Sequence, residues 1–118
     1  MSDLQAVVDR FDIETLRGEF TDAVMMRDYG RVASLFTPDG VWRMPNIPDE
    51  LAGQEEIRAY IQELIRLRDG NSEVNYAIYH DRYQRTPHGW KFTERVYEIR
   101  YLDTSPLTGS APPAPRFW

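Results

Sequence analysis

The strongest strand pattern in this 118-residue chain lies at residues 74–102, VNYAIYHDRYQRTPHGWKFTERVYEIRYL. β-branched and aromatic residues recur on both sides of a Pro/Gly break, which is the composition of strands. The break itself, Thr86-Pro87-His88-Gly89, has the composition of a tight turn. The stretch therefore predicts two long antiparallel strands, and we expect the preceding chain to form a helical layer over one face of this hairpin.

Length and composition set the class of protein. The chain is long enough for one domain with one core, and its 42% hydrophobic and 28% charged residues are ordinary for a soluble globular protein. The first residues lack the basic and apolar pattern of a secretory signal, so we expect a cytoplasmic protein. Because cysteine is absent, disulfide and thiolate chemistry are excluded. A net charge of −5, with arginines interleaved among acids, predicts no nucleic-acid partner, and no apolar run is long enough to predict a membrane span.

Two helices are predicted before residue 41. Asp12 is placed to cap the first helix, whose apolar residues recur with a period near 3.6: Ile13, Leu16, Phe20, Ala23 and Val24. Asp28 is placed to cap a short second helix that carries Leu35 and Phe36. The segment Thr37-Pro38-Asp39-Gly40 then predicts a turn that ends this helix.

A short strand and a third helix should follow. Residues 41–44 alternate, which places Trp42 and Met44 on one strand face. A loop is predicted through Asn46 to Ala52, and acidic residues after Gly53 favour a helix start there. Its end stays open, because residues 60–68 fit either a continuing helix or an edge strand, although periodicity favours the helix. Residues 1–103 form the predicted domain, and the Pro-rich segment Thr104 to Trp118 predicts a flexible tail.

Asp81 is the strongest candidate for a general acid or base. A carboxylate among aromatic residues on a strand loses hydration, which raises its pKa toward the working pH. Tyr79 lies on the same strand face and could donate a hydrogen bond to a developing oxyanion. The alternative is structural: Asp81 forms an ion pair with Arg82, Arg85 or Arg95, and the Tyr79 ring belongs to the core.

Other chemistries lack a motif. Strand alternation places His80 on the face opposite Asp81, and His88 lies in the turn, so we expect no metal site. No glycine-rich phosphate loop or nucleophile elbow is present, and we expect no cofactor. An apolar, adaptable pocket wall is predicted from four residues, with Tyr83 as a further ligand contact: Phe20, Met25, Trp42 and Met44. Ordinary core packing remains the alternative for these side chains.

Three segments resemble the SnoaL-like branch of the nuclear transport factor 2-like superfamily. They are LFTPDGVW at 35–42, the Gly-x-x-x-Ile helix start at 53–57 and DRYQRTPHGWKFTERV at 81–96, and the resemblance covers residues 8–103. It implies an α+β fold in which a strongly curved antiparallel sheet wraps around the amino-terminal helices into a cone with a pocket. It further implies a homodimer formed through the sheet. The implied activities are those of isomerases, dehydratases and polyketide cyclases that act on small apolar or polycyclic molecules.

The resemblance also bears on single residues. In some of these enzymes an Asp in the setting of Tyr79-His80-Asp81 moves a proton. Relatives commonly carry a Tyr and two Asp on the first helix, and the matching positions here are Phe20, Asp22 and Met25. Asp22 is therefore a candidate catalytic residue, with a solvated helix acid as the alternative. Phe20 and Met25 cannot transfer protons, which weakens the dehydratase interpretation.

A shortened middle separates this chain from the family pattern. About thirty residues are absent between Ala59 and the hairpin, judging from the lengths that a full helix and a further strand need. The cone is then open on one side or is completed by a partner subunit. Two interpretations follow: a cofactor-independent proton-transfer enzyme acting on a carbonyl-bearing apolar substrate, or a non-catalytic dimeric module for ligand binding or assembly.

Overall fold

A computed structural model describes residues 2–45, 50–68 and 74–103. The elements, in chain order, are α1 Ser2–Met25, α2 Tyr29–Ser34, β1 Phe36–Arg43, β2 Glu50–Ala52, α3 Gln54–Arg68, β3 Val74–Thr86 and β4 Gly89–Asp103. The strands form one sheet in the order β2-β1-β4-β3. This arrangement confirms the predicted α+β class. The predicted tail from residue 104 lies outside the described residues.

The central hairpin forms as the sequence predicts. β3 and β4 pair antiparallel from Val74 opposite Asp103 to Thr86 opposite Gly89, with bulges after Tyr76 and after Arg82. Gly89 has a φ of 101°, a left-handed conformation that glycine adopts without strain. The Thr86 hydroxyl closes the turn by donating to the Gly89 carbonyl oxygen at 2.6 Å and accepting from the backbone N–H of His88 at 3.2 Å.

The segment from 35 to 43 differs from the prediction. α2 ends at Ser34, and Phe36 and Thr37-Pro38-Asp39-Gly40 belong to β1 instead of a helix end and a turn. β1 runs parallel to β4, so the sheet is mixed, and its register moves from Phe36 opposite Phe92 to Val41 opposite Glu94. The residues with turn chemistry therefore form an irregularity inside a strand. Glu50–Ala52, expected in a loop, pairs with β1 as the short strand β2.

Helix boundaries follow the sequence only in part. α1 begins at Ser2 rather than at Asp12, since no Gly or Pro interrupts residues 2–12. The Asp28 cap is confirmed, because its carboxylate accepts the backbone N–H of Arg31 at 3.3 Å. α3 continues to Arg68, which decides between helix and edge strand in favour of the helix. None of the described helices is both long and apolar enough to cross a membrane.

The helices pack against one face of the sheet. Phe36 and Phe92, from the parallel pair β1 and β4, are almost fully buried with ring centres 5.3 Å apart. Around them lies a core formed by residues within or directly after α1, α2, α3 and β1: Leu16, Phe20, Ala23, Val32, Leu35, Trp42, Met44, Ile57 and Ile61. This core fixes the inner face of β1, β3 and β4 beneath α1 and α3, where the candidate site lies.

Candidate functional site

A cavity of about 160 Å³ lies between the two longer helices and the inner face of the sheet. Its lining is formed by apolar and aromatic side chains: Phe20 and Val24 of α1, Trp42 of β1, Ile61, Leu64 and Ile65 of α3, Tyr79 of β3 and Tyr97 of β4. A cavity with this lining favours an apolar ligand. The apolar face of α3 forms one wall of the cavity, and the four aromatic side chains form the other.

The aromatic wall of the cavity is an ordered stack. The rings of Phe20 and Trp42 are stacked, with centres 5.7 Å apart and planes 13° apart. The ring centre of Tyr97 lies 5.8 Å from that of Trp42 and 5.1 Å from that of Tyr79. Because each ring packs against the next, the wall presents a continuous aromatic surface to the cavity.

Arg95 lies behind this wall and is only 2% exposed. Its guanidinium carbon is 3.6 Å from the centre of the Tyr79 ring, and it also lies over the rings of Phe20 at 4.4 Å and Phe92 at 4.6 Å. Burial lowers the pKa of Arg95, while the neighbouring Tyr79 and Asp81 act in the opposite direction. The stacking on three rings compensates part of the lost hydration of the cation.

Asp81 neutralises Arg95. Its Oδ1 accepts a hydrogen bond from Arg95 Nε at 3.0 Å, and its Oδ2 accepts one from the Tyr83 hydroxyl at 2.9 Å. The two charged side chains are 5% and 3% exposed. Burial, and then the hydrogen bond to Asp81, raise the pKa of Tyr83 to about 12. The geometry is that of the ion pair with Arg95, which the sequence left open as the alternative to catalysis.

The structure brings only some of the predicted site residues together. Phe20, Trp42 and Tyr79 line the cavity. Tyr79 stays 36% exposed because it lies on the edge strand β3, and burial nevertheless raises the pKa of its hydroxyl. Asp81 and Tyr83 lie next to the cavity wall, on the inner face of β3, and are not lining residues.

The remaining predicted residues lie away from the cavity. Met44 is buried in the core, where its sulfur accepts the Tyr60 hydroxyl at 3.4 Å. Met25 is 77% exposed at the end of α1. Asp22 points outward, since its side chain is 64% exposed and its Oδ2 lies 2.5 Å from Arg31 Nη2. None of these residues belongs to the described lining.

Arg95 and the α3 wall were missed by the sequence reasoning as parts of the site. No local signal singles out Arg95, because only the bulge after Arg82 brings it opposite Asp81 in the hairpin register. Two donors near the cavity are buried without a hydrogen-bond partner, the indole Nε1 of Trp42 and Nη1 of Arg95. A polar atom of a ligand that reached either donor would relieve this deficit.

The histidines take no part in the cavity. His80 lies on the outer face, as alternation predicts, and its Nε2 is 2.9 Å from Glu98 Oε2. No group of three or more His, Asp or Glu side chains able to hold a metal ion occurs among the residues that the structure describes.

Comparisons with known proteins agree with this fold. The sequence model of the SnoaL-like domain family matches residues 18–103. No curated protein matches the chain. A type 2 hexachlorocyclohexane dehydrochlorinase, LinA, is similar in structure with a TM-score of 0.79 and 19% sequence identity, covering 94% of this chain and 98% of that chain.

Two further solved structures are similar. The type 3 LinA dehydrochlorinase of Novosphingobium barchaimii LL02 has a TM-score of 0.76 and 20% identity, covering 96% of this chain and 99% of that chain. A protein of Novosphingobium aromaticivorans described as NTF2-like with a cystatin-like fold has a TM-score of 0.65 and 18% identity, covering 93% and 89%. At these identities the likeness concerns the fold.

Proposed function

The chain belongs to the SnoaL-like domain family, and on that premise we propose that it binds one compact apolar ring compound in the aromatic cavity. The observation that carries this proposal is the stack of Phe20, Trp42, Tyr97 and Tyr79, which forms one wall opposite the aliphatic side chains of α3. Such a wall offers contact area to a hydrophobic ring at low conformational cost.

The size of the cavity limits the ligand. A volume of about 160 Å³ is close to that of an engineered apolar cavity of about 150 Å³ that binds benzene. A single ring, saturated or aromatic and with small substituents, therefore fits better than a steroid or another polycyclic compound. The fold neighbours named as hexachlorocyclohexane dehydrochlorinases support the same class, because their named substrate is a compact apolar ring.

Proton transfer by Asp81 is the second candidate function. The observation that favours it is the position of Asp81, whose partner Arg95 lies directly against the ring of the lining residue Tyr79. In this mechanism the Asp81 carboxylate removes a proton from a carbonyl-bearing ring while the Tyr79 hydroxyl donates a hydrogen bond to the developing oxygen anion. Asp81 must first leave Arg95 and Tyr83, and this requirement makes binding the better supported function.

Thermal unfolding with a panel of compounds tests the binding function. We expect chlorinated cyclohexanes and monocyclic aromatic ketones to raise the melting temperature, and steroids to leave it unchanged. A ligand at about a hundred times its dissociation constant stabilises a protein by roughly 2.7 kcal/mol, which raises the melting temperature of a small domain by several degrees.

Two variants locate the binding site. Val24→Phe adds a ring inside the cavity, so the ligand shift should disappear. Val7→Phe makes the same change on α1 at a side chain that is 64% exposed, and the shift should persist. The proposal is contradicted if the ligand-induced shift in melting temperature persists in Val24→Phe. It is also contradicted if none of the ring compounds in the panel raises the melting temperature of wild type.

A turnover assay separates the two functions. If the chain is an isomerase, dehydratase or cyclase, wild type converts the bound ring compound to product, and Asp81→Asn abolishes conversion at a temperature where circular dichroism shows that this variant is still folded. If the chain only binds, the compound is recovered unchanged from wild type. Asp22→Asn is the matched carboxylate control, since Asp22 faces solvent.

A further inference from the structure

A cleft of about 490 Å³ lies between the first half of β1 and the turn that joins β3 to β4. Phe36, Thr37 and Pro38 of β1 line it, together with Pro87 of the turn and Lys91 of β4. Among the described residues, none lines both this cleft and the aromatic cavity. The cleft is therefore a separate place on the molecule, and the proposed function makes no use of it.

The irregular segment of β1 forms one wall of the cleft because it carries surplus residues. Between two paired positions, β1 passes through residues 37–40 where β4 passes through residue 93 alone. Both ends of this segment are held by hydrogen bonds of 2.8 Å: Gln54 Nε2 donates to the Phe36 carbonyl oxygen, and the backbone N–H of Gly53 donates to the Gly40 carbonyl oxygen. The wall is therefore fixed before any ligand arrives.

Lys91 supplies a positive charge to the cleft and is the only lysine of the chain. Its half-buried side chain donates a hydrogen bond from Nζ to the Ser34 carbonyl oxygen at 2.6 Å. Among the residues that the structure describes, no carboxylate pairs with this ammonium group. An ammonium group has three N–H donors, so two remain for a ligand. A cation that is positioned by a neutral acceptor and has no counter-charge favours an anionic ligand.

Thr37 supplies a hydroxyl group without a partner. The residue lines the cleft and yet is only 4% exposed, and its Oγ1 has no hydrogen-bond partner in the described part of the chain. Buried hydroxyl groups in this condition are uncommon, because burial removes the water that would otherwise bind them. An oxygen atom of a ligand in the cleft would accept this hydrogen bond and remove the deficit.

The cleft differs in charge from a neighbouring pocket between α1 and the same turn. Lys91 borders that pocket as well, but there Asp12 and Glu19 are also lining residues. No Asp or Glu belongs to the described lining of the cleft, and Phe36 and Pro38 add apolar surface to it. An anion with an apolar portion therefore fits the cleft and is disfavoured beside the two acids.

We propose that the cleft is a second ligand site and that it binds a monocarboxylic acid with an apolar body. The carboxylate accepts hydrogen bonds from Lys91 Nζ and Thr37 Oγ1, and the body packs against Phe36, Pro38 and Pro87. Lys91 is the only lysine or arginine in the described lining, so a monoanion fits better than a phosphate group. Phosphate is usually bound by several cations or by a row of backbone N–H groups.

Isothermal titration calorimetry with naphthoate tests this site. Naphthoate is a monocarboxylate whose two rings suit the cleft better than the smaller aromatic cavity. We expect wild type to bind naphthoate, and to bind naphthamide, its uncharged equivalent, roughly tenfold more weakly. Inorganic phosphate should bind more weakly than naphthoate because it has no apolar body. The proposal is overturned if naphthoate does not bind, or if naphthamide or phosphate binds as tightly.

Matched variants locate the bound carboxylate. Lys91→Gln should weaken naphthoate binding by roughly tenfold or more, and Thr37→Val, which keeps the shape of the side chain, by about threefold. Arg82→Gln removes a cation whose side chain is 81% exposed, and Thr15→Val removes a hydroxyl of the neighbouring pocket. Both controls should bind naphthoate as wild type does. Circular dichroism confirms that each variant folds, and Thr37→Val decides the matter if Lys91→Gln fails to fold.

Other binding places give distinct results. Unchanged naphthoate affinity in folded Lys91→Gln or in Thr37→Val overturns the proposal. A loss in Thr15→Val equal to that in Thr37→Val places the acid in the neighbouring pocket, and a loss in Val24→Phe without one in Lys91→Gln places it in the aromatic cavity; either result overturns the proposal. Ring compounds without a carboxylate report on the aromatic cavity separately, so each of the two sites can fail while the other stands.

Discussion

Arg95 and Asp81 form a buried ion pair between adjacent strands, with Nε 3.0 Å from Oδ1 and side-chain exposures of 3% and 5%. They stand directly opposite each other in the register of β3 and β4. The pair joins the hairpin to the aromatic wall, because the guanidinium also lies 3.6 Å from the Tyr79 ring centre. Its removal should affect stability and the cavity together.

Replacing Asp81 should destabilise the fold strongly. Asp81→Asn leaves the Arg95 cation buried without its counter-charge, and breaking a buried pair in this way costs about 3–5 kcal/mol. The melting temperature should fall by roughly 10 °C or more. Asp22→Asn removes an ion pair whose carboxylate is 64% exposed, and should cost less than about 1 kcal/mol. Equal losses in the two variants, measured by denaturant unfolding, would show that the buried pair contributes no more than a surface pair.

Gly40 should not tolerate a side chain. A Cβ at this position would lie 2.9 Å from Phe36 Cβ and 3.0 Å from the Thr37 carbonyl oxygen, inside the irregular segment of β1. Gly40→Ala should therefore destabilise the protein by about 1–3 kcal/mol. Gly18→Ala is the control, because nothing lies within 4 Å of the new Cβ in α1 and alanine favours helix by about 0.5–1 kcal/mol. Chemical denaturation of both variants should give shifts of opposite sign.

Tyr83 should make stability sensitive to alkaline pH. Its pKa is raised to about 12 in the folded chain, compared with about 10 in an unfolded one. Because the folded state favours the neutral phenol, Tyr83 stabilises the fold. This stabilisation is fully present below about pH 10 and is lost as the pH rises from about 10 to 12. The stability difference between wild type and Tyr83→Phe should therefore shrink over that window. A difference in unfolding free energy between wild type and Tyr83→Phe that stays constant from about pH 9 to 12 would contradict this linkage.

The hairpin, the Asp28 cap and the three helices were predictable because each depends on local signals. The turn residues at 86–89, the acid before α2 and the helical stripe of α3 act within a few positions of the backbone that they determine. The parallel pairing of β1 with β4 was not predictable in this way. Phe36 and Phe92 are distant in sequence, and the turn chemistry of residues 37–40 concealed a strand.

The site was predictable where helical periodicity, as for Phe20, or strand alternation determines it. Alternation placed Trp42 and Tyr79 on the inner face and His80 on the outer face, as the structure shows. It could not show that the Asp81 carboxylate is bound to Arg95, since any of three arginines satisfied the same pattern. Met25 was predicted in the pocket wall because its side chain is apolar and adaptable, yet the last turn of α1 leaves it in solvent.

Trp42 should determine how large a ligand the cavity accepts. Its indole is 5% exposed and lies between Phe20 and Tyr97 in the aromatic wall, so Trp42→Phe enlarges the cavity by the difference between the two side chains. We expect this variant to lose about 1–3 kcal/mol of stability and to shift its preference from one-ring toward two-ring compounds. Trp90→Phe is the matched control, because Trp90 lies under Arg85 and is not a lining residue of this cavity. The measurement is the ligand-induced shift in melting temperature of wild type and of both variants, with a benzene-sized and a naphthalene-sized probe. A Trp90→Phe variant that changes its preference as Trp42→Phe does would place the bound ring outside this cavity.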